Sequence, residues 1–399
     1  MDVSGRYIVT FKPKDQRADT SSDKREILAR AVGREPVFTS ATELAMGEPE
    51  YGALLEERGY DIDRYAAPIL IVRLSESEAR ALLADPDVVG VEPDGEIFPI
   101  TSATRDADSE TIADSETIPK GVVAIHAPQA WDATRAVGVR VAVVDSGIDY
   151  THPDLKDNYR GGISLVEGEP DAMDVTGHGT HCAGIICARA NGQGVVGVAP
   201  NAEFYGVKVL SAAGGAWSWL IEAIDWCIAF DIRVVSMSVG APSVPDGMRR
   251  VCEAAWNEGL ILVAAAGNDL GSAVSYPARL DSVIAVSALN DQGALSMLSN
   301  KGPEIELCAP GVQILSTEPG GSYDIRTGTS QATPHVAGTA ALAVGSHRFS
   351  SNVTIRRLLA ETADTLEGSG RTPEYGNGRV NAAKAARALE VPPPVPGIP

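Results

Sequence analysis

The stretch Thr327-Gly-Thr-Ser-Gln-Ala-Thr-Pro-His-Val-Ala-Gly338 joins a glycine-containing loop to a run of small apolar residues, which predicts a buried helix. Gly328 permits a close backbone approach, and we expect Pro334 within the first turn, where its missing N–H costs nothing. Ser330 then lies at the helix N-terminus, where a backbone N–H and the positive dipole end suit an oxyanion. A lone serine there is more commonly a helix cap, so a catalytic role requires partners elsewhere in the chain.

The length and charge of the chain limit its class. Its 399 residues exceed one typical domain, and a net charge of −20 argues against nucleic acid or an anionic membrane as a partner. No apolar stretch approaches the roughly 20 residues that span a bilayer. Five cysteines among small or apolar residues favour buried free thiols, with one or two bridges left open. We expect a monomer.

Residues 1–100 predict a small ferredoxin-like α+β domain, because strands and helices alternate in the order β-α-(β)-β-α-β. Ser75 and Glu78 have the spacing of a capping box, which marks a helix start. Ser22 is the expected cap of the preceding helix. The predicted elements are a strand over Tyr7–Lys12, a helix ending at Val32, a strand over Ile69–Leu74, a helix over Ser77–Ala84 and a strand over Val88–Glu92.

An acidic hexapeptide, Ala107-Asp-Ser-Glu-Thr-Ile112, repeats unchanged as Ala113-Asp-Ser-Glu-Thr-Ile118. It has no packing face, so we interpret residues 101–118 as an exposed linker that is open to cleavage. Residues 119–390 predict a doubly wound α/β domain with a mostly parallel sheet, since near-continuous apolar strands alternate with helices. The predicted elements are strands over Val139–Asp145, Glu203–Leu210, Ile232–Met237, Leu260–Ala265 and Ser282–Val286, helices over Ser218–Phe230 and Met248–Glu258, and a Pro-rich tail over 391–399.

Three polar residues interrupt this apolar scaffold where sites form in such folds. Asp145 ends a buried strand, His178 opens a helix between glycines, and Asn268 follows another strand. Taken singly, they have structural interpretations as a strand-end cap, a structural histidine and a turn former. Together with Ser330 they make a set of acid, base, amide donor and nucleophile.

Such a set matches the chemistry of acyl transfer. A serine hydroxyl is a weak nucleophile until a neutral imidazole accepts its proton. A carboxylate fixes the tautomer of that imidazole and stabilises its charged form. The tetrahedral oxyanion needs hydrogen-bond donors, for which the Asn268 amide and the Ser330 N–H are the candidates.

The motifs around these residues resemble those of the subtilisin-like serine proteases. Val143-Val-Asp-Ser-Gly-Ile-Asp149, Gly177-His-Gly-Thr-His-Cys-Ala-Gly184 and the opening stretch occur in the family's Asp–His–Ser order, which differs from that of the α/β-hydrolases. The likeness extends over about residues 119–386. Supporting blocks are His152-Pro-Asp-Leu155, Gly197-Val-Ala-Pro200, Ser236-Met-Ser-Val-Gly240, Tyr276-Pro-Ala278 and Ala309-Pro-Gly-Val312.

The resemblance implies a serine endopeptidase of broad specificity that hydrolyses polypeptides through an acyl-enzyme. Asp145, His178 and Ser330 would form its triad, with Asn268 as oxyanion donor. The first domain is similar to the family's propeptide, an intramolecular inhibitor and chaperone whose C-terminal end lies substrate-like across the active site, with cleavage expected between about 96 and 118. The alternative is a catalytically silent peptide-binding scaffold. An acid-acting carboxyl–serine peptidase would need glutamate and aspartate in place of His178 and Asn268.

The same resemblance implies the substrate pockets. The implied S1 pocket of this protein is open and uncharged, which favours substrates with a large apolar side chain before the cleaved bond. For Trp217, a packed surface aromatic is an equal alternative. The implied residues are Ser238, Val239, Gly240, Ala265, Ala266, Gly267 and Ser275 around S1, with Trp217 and Leu220 at S4.

A structural calcium ion is the implied cofactor, because the matching loop offers the hard oxygen ligands that calcium prefers. Glu110 gives an alternative register to Glu116, and an Asx-rich loop without metal is the alternative to the site. The implied ligands are the side chains of Asp154, Asn191 and Glu116 and the carbonyls of Arg189, Gln193 and Val195.

Gln331 departs from the family pattern, and Cys182 is a feature of one branch of the family. Gln331 stands where the subtilisins commonly carry methionine, which predicts resistance to peroxide because glutamine forms no sulfoxide. Cys182 lies one helical turn after His178, as in the proteinase K branch, which predicts inhibition by mercurials.

A propeptide favours a secreted protein, since latency protects the producing cell. The first residues lack an export signal, so a cytoplasmic location is the alternative.

Overall fold

The structure, a computed structural model, describes residues 4–18, 24–34, 37–38, 69–100, 115–368 and 370–388. Ser22, Glu110, most of the linker and the tail over 391–399 lie outside these ranges, so the interpretations made for them stay predictions. Within the ranges, no helix combines the length and hydropathy that a membrane span requires.

The N-terminal domain has the predicted ferredoxin-like order. In chain order its elements are β1 (Arg6–Phe11), α1 (Lys24–Val32), β2 (Val37–Phe38), β3 (Ile69–Arg73), α2 (Glu76–Leu83), β4 (Val88–Pro93) and β5 (Glu96–Pro99). The first four strands form an antiparallel sheet in the order β2-β3-β1-β4. The capping box is confirmed, because the Ser75 hydroxyl accepts the Glu78 N–H at 3.3 Å and the Glu78 carboxylate accepts the Ser75 N–H at 2.7 Å.

The larger domain is the predicted doubly wound α/β fold. In chain order its elements are α3 (Lys120–Ala124), α4 (Ala127–Ala130), β6 (Arg140–Asp145), β7 (Tyr159–Ser164), α5 (His178–Cys187), β8 (Glu203–Lys208), β9 (Leu210–Ser211), β10 (Gly214–Ala216), α6 (Trp217–Ala229), β11 (Val234–Met237), β12 (Val239–Gly240), α7 (Asp246–Asn257), β13 (Ile261–Ala265), β14 (Val283–Leu289), β15 (Ile305–Pro310), β16 (Ile314–Glu318), β17 (Ser322–Arg326), α8 (Thr329–Ser346), α9 (Asn352–Glu361) and α10 (Ala382–Arg387). The central sheet runs β15-β14-β13-β11-β6-β8-β7, and every neighbouring pair is parallel.

Two strands of this sheet, β7 and β15, have no counterpart among the predicted elements. The β7 strand lies at the sheet edge, contains Gly161 and Gly162, and has no fully buried side chain, so it lacks an apolar run. In β15 the carboxylate of Glu306 is buried and accepts a hydrogen bond from the Arg356 guanidinium at 2.8 Å. A partner 50 residues away makes this glutamate compatible with a buried strand, and no local pattern reveals that partner.

Helix α8 runs through the centre of the larger domain and is almost wholly buried. It begins at Thr329, so Pro334 lies in its second turn, and the prediction of a first-turn proline was wrong. A proline there removes the N–H that would have bonded the carbonyl of Ser330. That carbonyl instead accepts the Ser238 hydroxyl at 3.0 Å and the Cys182 thiol at 3.5 Å. Both contacts tie the first turn of α8 to neighbouring elements.

The β5 strand connects the two domains. It follows the last strand of the ferredoxin-like sheet but is not part of that sheet. It pairs antiparallel with β10 on one side and with β12 on the other. Ile97 lies opposite Gly215, and Pro99 lies opposite Val239. A segment of the N-terminal domain therefore adds a strand to the larger domain, as peptides do when they bind a sheet edge. The sequence analysis missed this strand, because four residues that end in proline are too few to show the apolar–polar alternation of a strand.

The end of the second hexapeptide repeat was expected to be an exposed linker, but it forms hydrogen bonds with the larger domain. The Thr117 N–H donates to the Gly194 carbonyl at 2.7 Å, and the Val196 N–H donates to the Thr117 carbonyl at 3.1 Å. These bonds form a short parallel bridge. Residues 115–118 therefore dock on the larger domain.

Candidate active site

Asp145 and His178 meet at the carboxyl end of the central sheet. Asp145 is the last residue of β6, and His178 is the first residue of α5. The imidazole Nδ1 lies 2.6 Å from Oδ1 of Asp145, and both side chains are buried. The carboxylate acceptor favours the tautomer with hydrogen on Nδ1. Nε2 has no hydrogen-bond partner among the described residues, so it is available to accept a proton.

Asp174 is a buried carboxylate that the sequence analysis missed, and it organises the loop before His178. It accepts hydrogen bonds at 2.9–3.0 Å from the N–H groups of Thr176, Gly177 and Thr180. Gly177 has a φ of 85°, which glycine adopts without strain. The signal in the sequence was an aspartate two residues before a threonine, a spacing typical of side-chain-closed turns.

The Ser330 hydroxyl contacts the carbonyl oxygen of Ile100, the residue that follows β5, and donates a hydrogen bond to it. The side-chain amide of Asn268 donates to the same oxygen at 3.0 Å. The Ile100 carbonyl is therefore held between the predicted nucleophile and the predicted oxyanion donor. The second predicted donor, the Ser330 N–H, makes no hydrogen bond to this oxygen within the described part of the chain.

Thr329 is a second residue that the sequence analysis missed. Its N–H and its hydroxyl donate to Oδ1 of Asn268 at 2.9 and 3.0 Å. These two bonds turn the Nδ2 group of the amide toward the Ile100 carbonyl. A donor held in this way needs no reorganisation when negative charge develops on the oxygen it faces.

Cys182 lies between the serine and the histidine. Its thiol donates to the Ser330 carbonyl at 3.5 Å, and its Sγ lies within 4.8 Å of side-chain ligand atoms of Asp145 and His178. Burial, reinforced by the charge of Asp145, raises the pKa of the Cys182 thiol well above its usual value. The thiolate is therefore scarce at neutral pH. All five cysteines are free and buried, as predicted, whereas the inhibition by mercurials stays a prediction.

The segment that ends at Ile100 occupies the site in the manner of a bound peptide. The Ile100 N–H donates to the Ser238 carbonyl at 3.0 Å. A Cβ on Gly240 would lie 3.0 Å from Cδ1 of Ile100 and 3.5 Å from Cβ of Ser275, so the glycine leaves room for the isoleucine. Three of the residues predicted for S1 contact the segment through the bond to the Ile100 N–H, the pairing with Pro99 and the space beside Ile100, namely Ser238, Val239 and Gly240. Ala266 and Gly267 adjoin Ser275, whose N–H donates to the Ala266 carbonyl at 2.8 Å, and Ala265 is the last residue of β13.

A second apolar pocket holds Ile97, which is fully buried in a cluster with Trp217 and Leu220. The Trp217 N–H donates to the Gly95 carbonyl at 2.9 Å, and a Cβ on Gly95 would lie 3.1 Å from the indole ring. Trp217 is only 3% exposed, and Gly95 of the N-terminal domain forms part of its cover, so its assignment to S4 stays a prediction. This arrangement fits the residues that the resemblance assigns to S4.

The predicted calcium ligands lie together beside the end of the hexapeptide repeat. Asp154 is fully buried, and its carboxylate accepts the Asn191 amide at 3.1 Å and the Val195 N–H at 2.9 Å. The Glu116 carboxylate reaches the same loop and accepts the Gly192 N–H at 2.8 Å. Glu116 therefore lies against the loop of predicted ligands, and the register that uses it stays a prediction.

The remaining members of the predicted set close the loop through their backbones. The Arg189 N–H donates to the Asp154 carbonyl at 2.9 Å, and the Gln193 N–H donates to Oδ1 of Asn191 at 3.1 Å. The Asn191 amide directs its nitrogen to the Asp154 carboxylate and its oxygen to the Gln193 N–H. The donor set fits a hard cation, since it comprises two carboxylates, one amide oxygen and backbone carbonyls.

Two buried histidines give the larger domain a predictable acid sensitivity. Burial lowers the pKa of His335 from its usual 6.5 to about 4, and burial together with the charge of Arg326 lowers that of His181. At these two histidines the unfolded chain binds more protons than the folded chain below about pH 6.5, so their contribution to stability falls as the pH falls. Between pH 7 and 5, His335 alone should remove about 2 kcal/mol from the free energy of unfolding.

Urea unfolding followed by tryptophan fluorescence measures this loss, because all five tryptophans belong to the larger domain. A Ser330→Ala background prevents self-digestion. Relative to that background, His335→Gln should reduce the drop in stability between pH 7 and 5 by about 2 kcal/mol. Equal drops in the two proteins would contradict the assignment.

Comparison with known proteins supports the same interpretation. Residues 136–378 match the model of the Subtilase family, and residues 6–98 match that of Peptidase inhibitor I9. M-protease of Shouchella clausii (strain KSM-K16) is 42% identical over 376 residues, 93% of this chain and 94% of the relative. Subtilisin E of Bacillus subtilis (strain 168) is 38% identical over 389 residues, 96% and 90% of the two chains. Subtilisin BL of Lederbergia lenta is 44% identical over its whole length, which covers 68% of this chain. The chain belongs to the subtilase family and is a serine endopeptidase made as a precursor with its own inhibitor domain.

Proposed function

We propose that Ser330 is the nucleophile of this endopeptidase, with His178 as general base, Asp145 as the group that orients the imidazole, and Asn268 as oxyanion donor. The observation that carries the proposal is the Ile100 carbonyl, which the Ser330 hydroxyl contacts and which the Asn268 amide binds at 3.0 Å. The carbonyl oxygen already has the donor that the tetrahedral intermediate needs. Attack requires the Ser330 hydroxyl to turn from this oxygen toward Nε2 of His178, so that the Ser330 oxygen faces the carbonyl carbon.

The mechanism uses the groups in sequence. His178 accepts the hydroxyl proton on Nε2 as the Ser330 oxygen bonds to the carbonyl carbon. Asp145 stabilises the resulting imidazolium through its contact with Nδ1 at 2.6 Å. The imidazolium then protonates the leaving amine, and the peptide C–N bond breaks to leave an ester on Ser330. Water repeats the sequence and releases the acid.

A serine-reactive fluorophosphonate tests this assignment. Peptide mapping of the treated protein should locate one adduct on Ser330, and the treatment should abolish casein hydrolysis. The alternative of a silent peptide-binding scaffold predicts no adduct. An adduct on another serine, with loss of activity, would overturn the choice of nucleophile.

The same geometry supports a maturation site between Ile100 and Thr101. The Ile100 side chain is 9% exposed beside an uncharged pocket, whereas Phe98 is 49% exposed. Burying a carboxylate in that pocket is costly, so Ile100→Asp should slow self-cleavage at least about tenfold. Phe98→Asp is the matched control and should be processed at the normal rate. Electrophoresis against time measures both rates, and equal rates would contradict the site.

The filled pockets support a substrate class. Ile100 and Ile97 occupy the two most enclosed positions of the segment, and both are apolar. We expect broad cleavage of unfolded polypeptides after apolar residues, with a further preference for an apolar residue three positions earlier.

We also infer a structural calcium ion held by Asp154, Asn191 and Glu116 with the carbonyls of the surrounding loop. When bound, the ion would link the docked end of the repeat to the loop, which stabilises the folded state by mass action. Chelation should therefore lower the melting temperature of a Ser330→Ala precursor by several degrees. Asp154→Asn should remove this calcium dependence, while Asp157→Asn, at an exposed neighbour, should keep it. An unchanged melting temperature on chelation would contradict the site.

An inhibitor domain supports export as the setting of this enzyme, because a latent precursor protects the cell that makes it. We propose that the mature enzyme acts as a secreted monomer. Fractionation of the producing culture, with sizing of the recovered protease, tests both parts.

A further inference from the structure

Two arginines stand side by side at one edge of the N-terminal inhibitor domain. Arg6 opens β1 and Arg73 ends β3, and the two residues lie directly opposite each other in the antiparallel pairing of these strands. Like charges directly opposite on neighbouring strands destabilise a sheet. Asp94, in the same domain, brings its carboxylate to 3.6 Å from the Arg6 guanidinium. An acidic group from outside the domain that reached both arginines would offset their repulsion.

Glu167 of the larger domain supplies that group. It lies in the loop between β7 and α5, and its Oε2 accepts hydrogen bonds from both guanidinium groups, from Arg6 at 2.7 Å and from Arg73 at 3.2 Å. We call the contact of Arg6, Arg73 and Glu167 the arginine clamp. It is separate from the strand pairing of β5, which holds the peptide in the active site.

The three members of the arginine clamp are buried to different extents. The Arg6 side chain is 2% exposed, whereas the side chains of Arg73 and Glu167 are 36% and 62% exposed. Two residues of α6 cover Arg6, since its guanidinium carbon lies 5.5 Å from the centre of the Trp219 ring and its Nη1 lies 3.4 Å from the Ser218 hydroxyl. The larger domain therefore removes Arg6 from water, and a buried guanidinium is costly unless a carboxylate pairs with it. The exposed pair of Arg73 and Glu167 contributes little by itself.

We propose that Glu167 is a docking site for the two guanidinium groups of the inhibitor domain, and that the arginine clamp sets the rate at which the cleaved inhibitor leaves. Both arginines belong to the inhibitor domain, so the two bonds to Glu167 break when that domain departs. The role rests on the proposed maturation after Ile100, because only a cleaved inhibitor can leave. It also makes latency depend on ionic strength, since salt screens the exposed side of the clamp.

Release of the inhibitor after self-cleavage tests the proposal. The cleaved complex is diluted far below the concentration at which it re-forms, and the rise in hydrolysis of a peptide anilide gives the release rate. At about 0.1 M salt, release from the Glu167→Gln protein should be about tenfold faster than from the wild type, because the buried Arg6 loses its nearest carboxylate. At about 1 M salt, where the screening length falls from about 10 Å to about 3 Å, the ratio of the two rates should shrink to about threefold. The final activity per active site should be equal in the two proteins, since Glu167 lies outside the proposed catalytic set.

Arg73→Gln is a second variant, on the inhibitor side of the clamp. Its exposed pair with Glu167 predicts release about two- to threefold faster, and adding it to Glu167→Gln should cause no further change, because both substitutions remove the same contact. Glu258→Gln, at the exposed end of α7, is the matched control and should keep the wild-type rate and salt dependence.

Equal release rates in the wild type and the Glu167→Gln protein, or a ratio of rates that salt does not change, would overturn the role of the arginine clamp. Titration with the fluorophosphonate counts the active sites, so that misfolded protein does not enter the rates. Electrophoresis follows the cleavage itself. A wild-type chain that never separates would instead overturn the proposed maturation, so the two failures are distinguishable.

Discussion

Replacing Ser330 with alanine is expected to leave the precursor as one 399-residue chain and to lower casein hydrolysis by on the order of 10⁶, the magnitude that loss of the nucleophile has in subtilisin itself. The alanine removes the hydroxyl that contacts the Ile100 carbonyl, so no ester can form and β5 stays joined to the linker. Electrophoresis reports the intact chain, and release of acid-soluble peptides reports the remaining activity.

Ser322→Ala is the matched control, because that serine is exposed on β17, eight residues earlier. It should mature and hydrolyse casein at the normal rate. The proposed role would be contradicted if the Ser330→Ala protein still separated into two chains at the wild-type rate in the absence of any other protease.

Replacing Asn268 with leucine is the second change with a large expected effect. It removes the donor that lies 3.0 Å from the Ile100 carbonyl while keeping the shape of the side chain. We expect kcat to fall about 10²–10³-fold, as it does for the corresponding amide of subtilisin, with little change in KM. The KM is spared because the Ile100 N–H and the β5 pairing hold the peptide through other groups.

Steady-state kinetics on a peptide anilide measures both constants. Asn257→Leu, at an exposed position near the end of α7, provides the control for the chemistry of the substitution and should leave both unchanged. A loss confined to KM would show that the amide binds the ground state and the transition state equally, which contradicts its role as oxyanion donor.

Local motifs predicted the elements that carry the site. Asp145 was expected at the end of a buried strand and His178 at the start of a small-residue helix, and both are found there. Such features are readable because strand polarity and glycine spacing are properties of short segments. The contact of 2.6 Å between these two side chains is not such a property, since it depends on how β6 and α5 pack.

The residues that orient the proposed catalytic groups were less predictable. Asp174 and Thr329 act through hydrogen bonds whose meaning appears only when the positions of His178 and Asn268 are known. Pro334 was assigned to the wrong turn because the helix begins earlier than its apolar run suggests. The loss of one backbone bond there is repaired by side chains from distant segments, which no local rule anticipates.

The β5 strand shows the same limit on a larger scale. Resemblance implied that the end of the inhibitor domain crosses the active site, but only the pairing with β10 and β12 sets its register. That register presents Ile100, and no neighbouring residue, to Ser330 and Asn268. Within the expected cleavage zone between 96 and 118, we therefore propose the bond that follows Ile100 as the maturation site.

Intact-mass measurement of the wild-type protein during early self-processing tests this central claim most directly. The account predicts an N-terminal fragment that ends at Ile100 and a second chain that begins at Thr101. A first pair of fragments that meet at any other bond would contradict the substrate-like register of β5, and with it the assignment of Ser330 and Asn268 to the Ile100 carbonyl.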